Sequence, residues 1–201
     1  MSAFHYRYVA GRKPETLLLL HGTGGNEDDL LAIGERVMPG AGLLSPRGQV
    51  IENGMPRFFR RFAEGVFDEE DIKARAAELG EFLVEQAREQ GFDADRLMAL
   101  GYSNGANIAA AMLLTGAARF QRAVLVRPMV PLQPEVLPDL TGTEVLLAAG
   151  LYDSMGTPVQ TRRLASLLES AGATVTEHAE RTGHQMTQGD IVAAGRWLTR
   201  K

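Results

Sequence analysis

The sequence predicts an α/β fold, with a mostly parallel central sheet and helices on both faces. Two observations predict it. Short apolar runs alternate with amphipathic stretches from one end of the chain to the other, which is the pattern of strands linked by crossover helices. The 201 residues, 45% hydrophobic and 23% charged, suit one domain that buries a complete sheet-and-helix core. No internal repeat or linker divides them, so residues 1–201 read as a single domain.

Each element has its own signal. Thr16-Leu17-Leu18-Leu19-Leu20, bounded by Pro14 and Gly22, reads as a buried strand. Leu43-Leu44-Ser45-Pro46 is a weaker strand candidate, and His5 lies in an N-terminal strand region. From Asp68 to about Gln90, Ile72, Ala76, Leu79, Phe82, Leu83 and Ala87 keep helical spacing, and Gly91 closes the helix. Arg96 to Tyr102 is the next buried strand, followed by an alanine-rich helix from Gly105 to Leu114. Strands follow at Ala123–Val126 and Glu144–Ala149. A helix then runs from about Pro158 to Ser170, with Pro at its first turn and Gly172 after its end. Thr174-Val175-Thr176 is the last strand and Asp190 to Leu198 the last helix. Two connections exceed what the architecture needs. The segment 46–67 shows no periodicity and is rich in Arg and Phe, and the segment 128–143 carries four prolines and should be stiff. Connections of such length inside a compact domain are usually functional. Neither could build a helical cap domain, so an open site is expected.

Composition narrows the function. The net charge of −4 is modest and spread along the chain, which offers no footprint for nucleic acid or an anionic membrane. The chain has no cysteine, so disulfides, thiolate zinc sites and cysteine catalysis are all excluded. Neither the N-terminal residues nor any later run has the apolar length of a signal peptide or a membrane span. A cytoplasmic location is the expectation.

Gly101-Tyr102-Ser103-Asn104-Gly105 carries the chemistry. With six serines and 22 glycines in 201 residues, chance alone places a G-x-S-x-G pentapeptide in roughly one such chain in fifteen. Its position decides the matter, because it joins the apolar Leu97–Leu100 to the helix that follows. A tight strand-to-helix turn there presents the serine Oγ outward as a nucleophile, and flanking glycines avoid collision with neighbouring backbone. An ordinary strand-to-helix turn with a serine near the helix cap is the plainer reading.

Acyl transfer also needs two N–H groups aimed at the developing oxyanion. His21-Gly22-Thr23-Gly24-Gly25 follows the first strong strand, so the expected donors are the backbone N–H groups of Thr23 and Asn104. An anion nest is the alternative use of such a loop, but no Gly-Lys-Ser/Thr follows to make it a Walker loop. His21 itself is expected to hold the loop through its ring nitrogens. The general base should be His184, in the loop between the last strand and the last helix, at the same end of the sheet as Ser103. His178 is expected at the surface, just past the last strand. Asp153, three residues beyond Gly150 at the carboxyl end of its strand, is the expected third member. Glu135 and Asp139 fall in the proline-rich segment, and Glu144 lies at the opposite strand end. Arg57, Phe58 and Phe59 of the 57–62 segment are candidate substrate contacts. The alternative there is that the aromatics pack the segment down and the arginines face water.

With those residues placed, the chain resembles the small lidless carboxylesterase/phospholipase family of α/β-hydrolases, relatives of the acyl-protein thioesterases. The resemblance covers nearly the whole length. It rests on Leu-His-Gly-Thr-Gly-Gly-Asn at 20–26, Pro-Arg-Gly at 46–48, Gly-Tyr-Ser-Asn-Gly-Ala-Asn at 101–107, Arg-Pro-Met-Val-Pro at 127–131 and Gly-His-Gln at 183–185. It implies the α/β-hydrolase fold without a cap domain, Ser103, Asp153 and His184 as a triad, and Thr23 and Asn104 as oxyanion donors. One departure stands out: the family often has proline directly after the acid, where this chain has Ser154. The expected activity is hydrolysis of small carboxylic esters through an acyl-enzyme, with no metal and no organic cofactor. A non-catalytic ligand-binding scaffold, a thioesterase or a carbon–carbon hydrolase at the same site are the alternatives. The expected partner is a small-molecule ester, and the resemblance allows a homodimer.

Overall fold

The computed structural model describes residues 4–200. In chain order the elements are β1 (Tyr6–Val9), β2 (Thr16–Leu20), α1 (Leu31–Val37), β3 (Gly42–Pro46), β4 (Val50–Glu52), β5 (Met55–Arg57), β6 (Arg61–Ala63), β7 (Val66–Phe67), α2 (Glu69–Gln90), β8 (Leu97–Tyr102), α3 (Asn104–Thr115), β9 (Arg122–Val126), β10 (Glu144–Gly150), α4 (Pro158–Ser170), β11 (Thr174–Glu180) and α5 (Gln188–Leu198). Seven strands form one sheet in the order β1-β3-β2-β8-β9-β10-β11. All its pairings are parallel except that of β1 with β3.

The sheet divides the core in two. Leu17 and Leu19 of β2 enter one apolar cluster with Val37, Trp197 and Leu198, whereas Leu18 and Leu20 enter the other with Ile72, Phe82, Leu113 and Leu168. So α1 and α5 cover one face, and α2, α3 and α4 the other. Every residue of α3 from Asn104 to Leu114 is buried. A helix enclosed on all sides has no polar face, which is why its inner turns are built from alanine, methionine and leucine. Helix ends follow local chemistry. Asp68 caps α2 by accepting from Asp71 N–H, Gly91 ends it in a left-handed conformation, and Thr187 with Asp190 forms a capping box on α5.

The structure departs from the sequence reading in three places. Segment 46–67 is not a loop: β4 pairs with β5 and β6 with β7 as two small hairpins. The first turns through Asn53 (φ 52°) and Gly54 (φ 79°), the dipeptide that favours a two-residue hairpin turn. β11 extends to Glu180, so His178 lies inside the strand opposite Ala148 rather than beyond its end. Helix α1 carried no readable signal, being seven residues long with no side-chain cap.

Two glycines set how closely the turn at Ser103 packs. A Cβ on Gly105 would stand 1.9 Å from Leu20 O, and one on Gly101 would stand 2.5 Å from Gly105 O. Both obstacles are backbone and cannot rotate away. Gly105→Ala is therefore expected to destabilise the fold by about 3 kcal/mol or more, read from the urea midpoint. A loss under about 1 kcal/mol would mean that α3 can slide on β2.

Candidate active site

Ser103 sits between the carboxyl end of β8 and the first turn of α3, with φ 51° and ψ −112°. Few non-glycine residues adopt such a backbone, and it persists only where its surroundings impose it. Here they do, because Ser103 N–H donates to Val126 O at 2.9 Å while Asn107 N–H donates to Ser103 O at 2.9 Å. His184 Nε2 lies 2.7 Å from Ser103 Oγ. On the far side of the ring, His184 Nδ1 lies 2.8 Å from Asp153 Oδ2. Asp153 is buried, and its other oxygen accepts from Met155 N–H at 2.8 Å and Gly156 N–H at 3.1 Å. Those two amides fix the Asp153 carboxylate with Ser154, not proline, following it. The His184 ring keeps about a fifth of its surface exposed, on the side that faces the cleft.

The second half of the site is the turn after β2. His21 is buried, accepting from Gly48 N–H through Nε2 at 2.9 Å, with Nδ1 2.6 Å from Gly22 O. The acceptor role of Nε2 leaves the proton on Nδ1, so the ring is neutral; burial holds its pKa below the ordinary histidine value. Segment 56–58 stitches this turn to Asn104, the residue after Ser103. Gly24 N–H donates to Pro56 O at 2.9 Å, Arg57 Nη1 to Thr23 Oγ1 at 2.6 Å and Phe58 N–H to Asn104 Oδ1 at 2.7 Å. Among the described residues, the N–H groups of Thr23 and Asn104 have no hydrogen-bond partner. Both residues line the same cleft as Ser103 and His184.

That cleft holds about 270 Å³, and its wall is completed by Arg57, Arg61, Glu64, Phe67, Asn107, Met129 and Met155. Of the three candidate substrate contacts, Arg57 lines it and the two phenylalanines do not. Phe58 and Phe59 are buried in the core, Phe59 edge-on to Phe67 at 5.3 Å and Phe58 tilted against His21 at 4.7 Å. They pin the hairpins down, because aromatic surface gains more from the core than from an open cleft.

Sequence reasoning missed the support beneath His184. Arg127 has no exposed surface, and its guanidinium uses all five donors. Nε donates to Gly183 O at 3.1 Å, Nη1 to Ala148 O at 2.9 Å and Asp190 Oδ1 at 3.1 Å, and Nη2 to Gln185 O at 3.1 Å and Asp190 Oδ2 at 2.6 Å. The carbonyls on both sides of His184 are thus held by one side chain, and Tyr102 O–H adds a third anchor on His184 O at 3.1 Å. A readable signal existed for Asp190, since Thr187-x-x-Asp190 has the spacing of a capping box. Arg127 stood only within the Arg-Pro-Met-Val-Pro segment of the resemblance, with no role read from it.

No family model matches the chain. MhqD of Bacillus subtilis, which bears the provisional name of a hydrolase, is 46% identical over 190 residues, covering 94% of this chain and 95% of that protein. The chain belongs to the small α/β-hydrolase esterase family. The crystal structure of a Bacillus cereus carboxylesterase superposes on this α/β-hydrolase with TM-score 0.93 at 49% identity, covering 96% of this chain and 92% of that one. YahD, solved with malic acid, matches it with TM-score 0.93 at 33% identity and 98% coverage of both chains. Among the described residues of the hydrolase, no helix is long and apolar enough to cross a membrane.

Two outcomes test this account of the site. Arg127→Met leaves Asp190 buried without its counter-charge and is expected to cost about 3–5 kcal/mol. The double variant Arg127→Met/Asp190→Leu should lose clearly less than the two single losses combined; additive losses in urea would mean the pair is not coupled. For His21, the unfolded chain binds a proton that the folded chain refuses, so stability falls as pH drops below about 6.5. Replacing it by Gln should remove up to about 1.4 kcal/mol per pH unit of that slope, measured as the change in unfolding free energy between neutral and mildly acidic buffer. An unchanged slope would place the sensitivity elsewhere.

Proposed function

We propose that this protein is a serine carboxylesterase that hydrolyses small carboxylic esters through an acyl-enzyme. The observation that carries the reading is the unbroken line from Ser103 Oγ through the His184 ring to Asp153 Oδ2, with spacings of 2.7 and 2.8 Å. In the acylation step Ser103 Oγ bonds to the ester carbonyl carbon while its proton passes to His184 Nε2. The carbonyl oxygen takes the negative charge and is held by the N–H groups of Thr23 and Asn104. Collapse breaks the bond to the alkoxy oxygen, which leaves as the alcohol with the proton from His184. Water then repeats the sequence on the acyl-serine, releasing the acid and restoring the hydroxyl. Asp153 accepts the Nδ1–H bond and stabilises the imidazolium each time it forms.

A cleft of about 270 Å³ is at the small end for ligand sites, which favours short acyl and alcohol groups. Malic acid in the structure of YahD agrees with a small acid as a fitting ligand. Supporting the enzyme class are the carboxylesterase and hydrolase relatives described above.

Labelling by a fluorophosphonate tests the nucleophile directly, with Ser103 as the expected modified residue. Ser103→Ala should lower kcat on 4-nitrophenyl butyrate by about a thousandfold or more with the urea midpoint unchanged. Turnover within tenfold of the unsubstituted protein would overturn the assignment.

A further inference from the structure

The cleft wall contains an unbalanced pair of cations. Arg57 and Arg61 both line the space that Ser103 opens into, and they share one carboxylate. Glu52 Oε2 lies 3.1 Å from Arg57 Nε, and the two Glu52 oxygens lie 3.0 and 3.1 Å from Arg61 Nε. At the surface Arg122 and Arg200 share Glu144 in the same way, outside the cleft, whereas two other arginines have acids enough. Arg60, which points away from the cleft and is well exposed, meets both Asp68 and Asp71, and Arg127 has Asp190 to itself. Arg57 is only 3% exposed, so its charge is held where water does little to stabilise it. Burial and the neighbouring Arg61 both push its pKa down from the usual arginine value.

Both arginines keep unused donors. Arg57 spends Nε on Phe59 O and Nη1 on Thr23 Oγ1, leaving Nη2 without a hydrogen bond among the described residues. Arg61 spends only Nε, on Glu52. Among the described residues none of these free nitrogens is buried without a partner, and both side chains line the cleft. Glu64 is the one carboxylate in the lining, and it stands exposed on the β6–β7 turn, where solvent and salt screen it. Structural stitching accounts for Nε and Nη1 of Arg57 and Nε of Arg61 and leaves their remaining donors without a partner among the described residues.

Resting on the serine esterase reading, we propose that the preferred substrates are esters carrying a free carboxylate, bound by the guanidiniums of Arg57 and Arg61. Arg57 touches Thr23, whose N–H is the oxyanion donor of that reading, so the carboxylate lies close to the reacting carbonyl. A half-ester of a short dicarboxylic acid has that spacing, and it fits the cleft volume. The planar fork of each guanidinium suits a carboxylate, and the shared Glu52 fixes both forks before substrate arrives.

The test compares 4-nitrophenyl hemisuccinate with the neutral 4-nitrophenyl butyrate. The unsubstituted protein should show the higher kcat/KM on the hemisuccinate, and the advantage should shrink in high salt. In Arg61→Gln, chosen because Arg61 lies outside the core, the ratio of the two kcat/KM values should fall about tenfold or more, mainly through KM. Arg61→Lys should fall less, since it keeps the charge. Free succinate should slow fluorophosphonate labelling of Ser103 in the unsubstituted protein, and less so in Arg61→Gln; succinamide should not. A ratio unmoved by Arg61→Gln, or labelling indifferent to succinate, overturns the carboxylate site while leaving Ser103 as nucleophile. Absence of labelling at Ser103 would instead bring down the esterase reading, and this inference with it.

Discussion

Arg127 places a full charge in the interior between the sheet and α5, and the local architecture is arranged around keeping it satisfied. A guanidinium without acceptors there would be prohibitively costly. Its acceptors come from three parts of the chain: β10 through Ala148, the 183–185 turn through two carbonyls, and α5 through Asp190, and the arginine itself follows β9 directly. Asp190 has a second duty, since it also accepts from Thr187 N–H and Thr187 Oγ1 at the start of α5. The turn bearing His184 therefore has little freedom of its own. Moving it by an ångström would break bonds to a buried cation and a helix cap at once. An imidazole that must meet Ser103 on one side and Asp153 on the other needs that rigidity, because catalytic geometry is lost with small displacements.

The opposite wall is fixed by neutral and aromatic contacts instead. His21 is held neutral by burial and bonds Gly48, so the turn after β2 and the chain leaving β3 are joined through one ring. Segment 56–58 then reaches both Thr23 and Asn104. The hairpins do the work that a cap domain does in larger enzymes, forming one wall of the cleft. Their own strands are two or three residues long, too short to be stable alone. Phe58 and Phe59 anchor them from beneath, and the packing that removes these two residues from the cleft is what brings Arg57 to it.

Much of this was legible in the sequence, for a physical reason. Strands buried on both faces read as unbroken apolar runs, so Thr16–Leu20 and Leu97–Leu100 announced themselves. The turn at Ser103 was legible because only glycine fits where Cβ would strike Leu20 O, and Asp153 and His184, picked out by their place at the same end of the sheet, do meet around it. The rest was hidden where stability comes from partners remote in sequence. β11 is an edge strand of mixed polarity, stabilised by pairing with β10 rather than by its own composition. Arg127 looks in sequence like a surface arginine before a proline, and only folding brings Asp190, 63 positions away, against it. Asn53-Gly54 is different, because that turn signal stands in the sequence itself, between strands too short to show a periodicity.

The two buried irregularities of the site are linked through the sheet. Ser103 and Arg127 both have positive φ, 51° and 55°, in the positions directly after β8 and β9. Each such residue costs of order 1–3 kcal/mol. Ser103 N–H bonds Val126 O, the carbonyl preceding Arg127, and Arg127 N–H bonds Ala148 O in β10. Each strained residue is thus held by the last ladder bond to the next strand. Along this edge the strain at Ser103 is opposed by β9, the strain at Arg127 by β10, and β10 itself by its pairing with β11, which leads into the His184 turn. Ser103 and His184 are joined twice: across the cleft by a hydrogen bond that breaks and reforms if the proposed reaction runs, and behind it by backbone bonds that need not move.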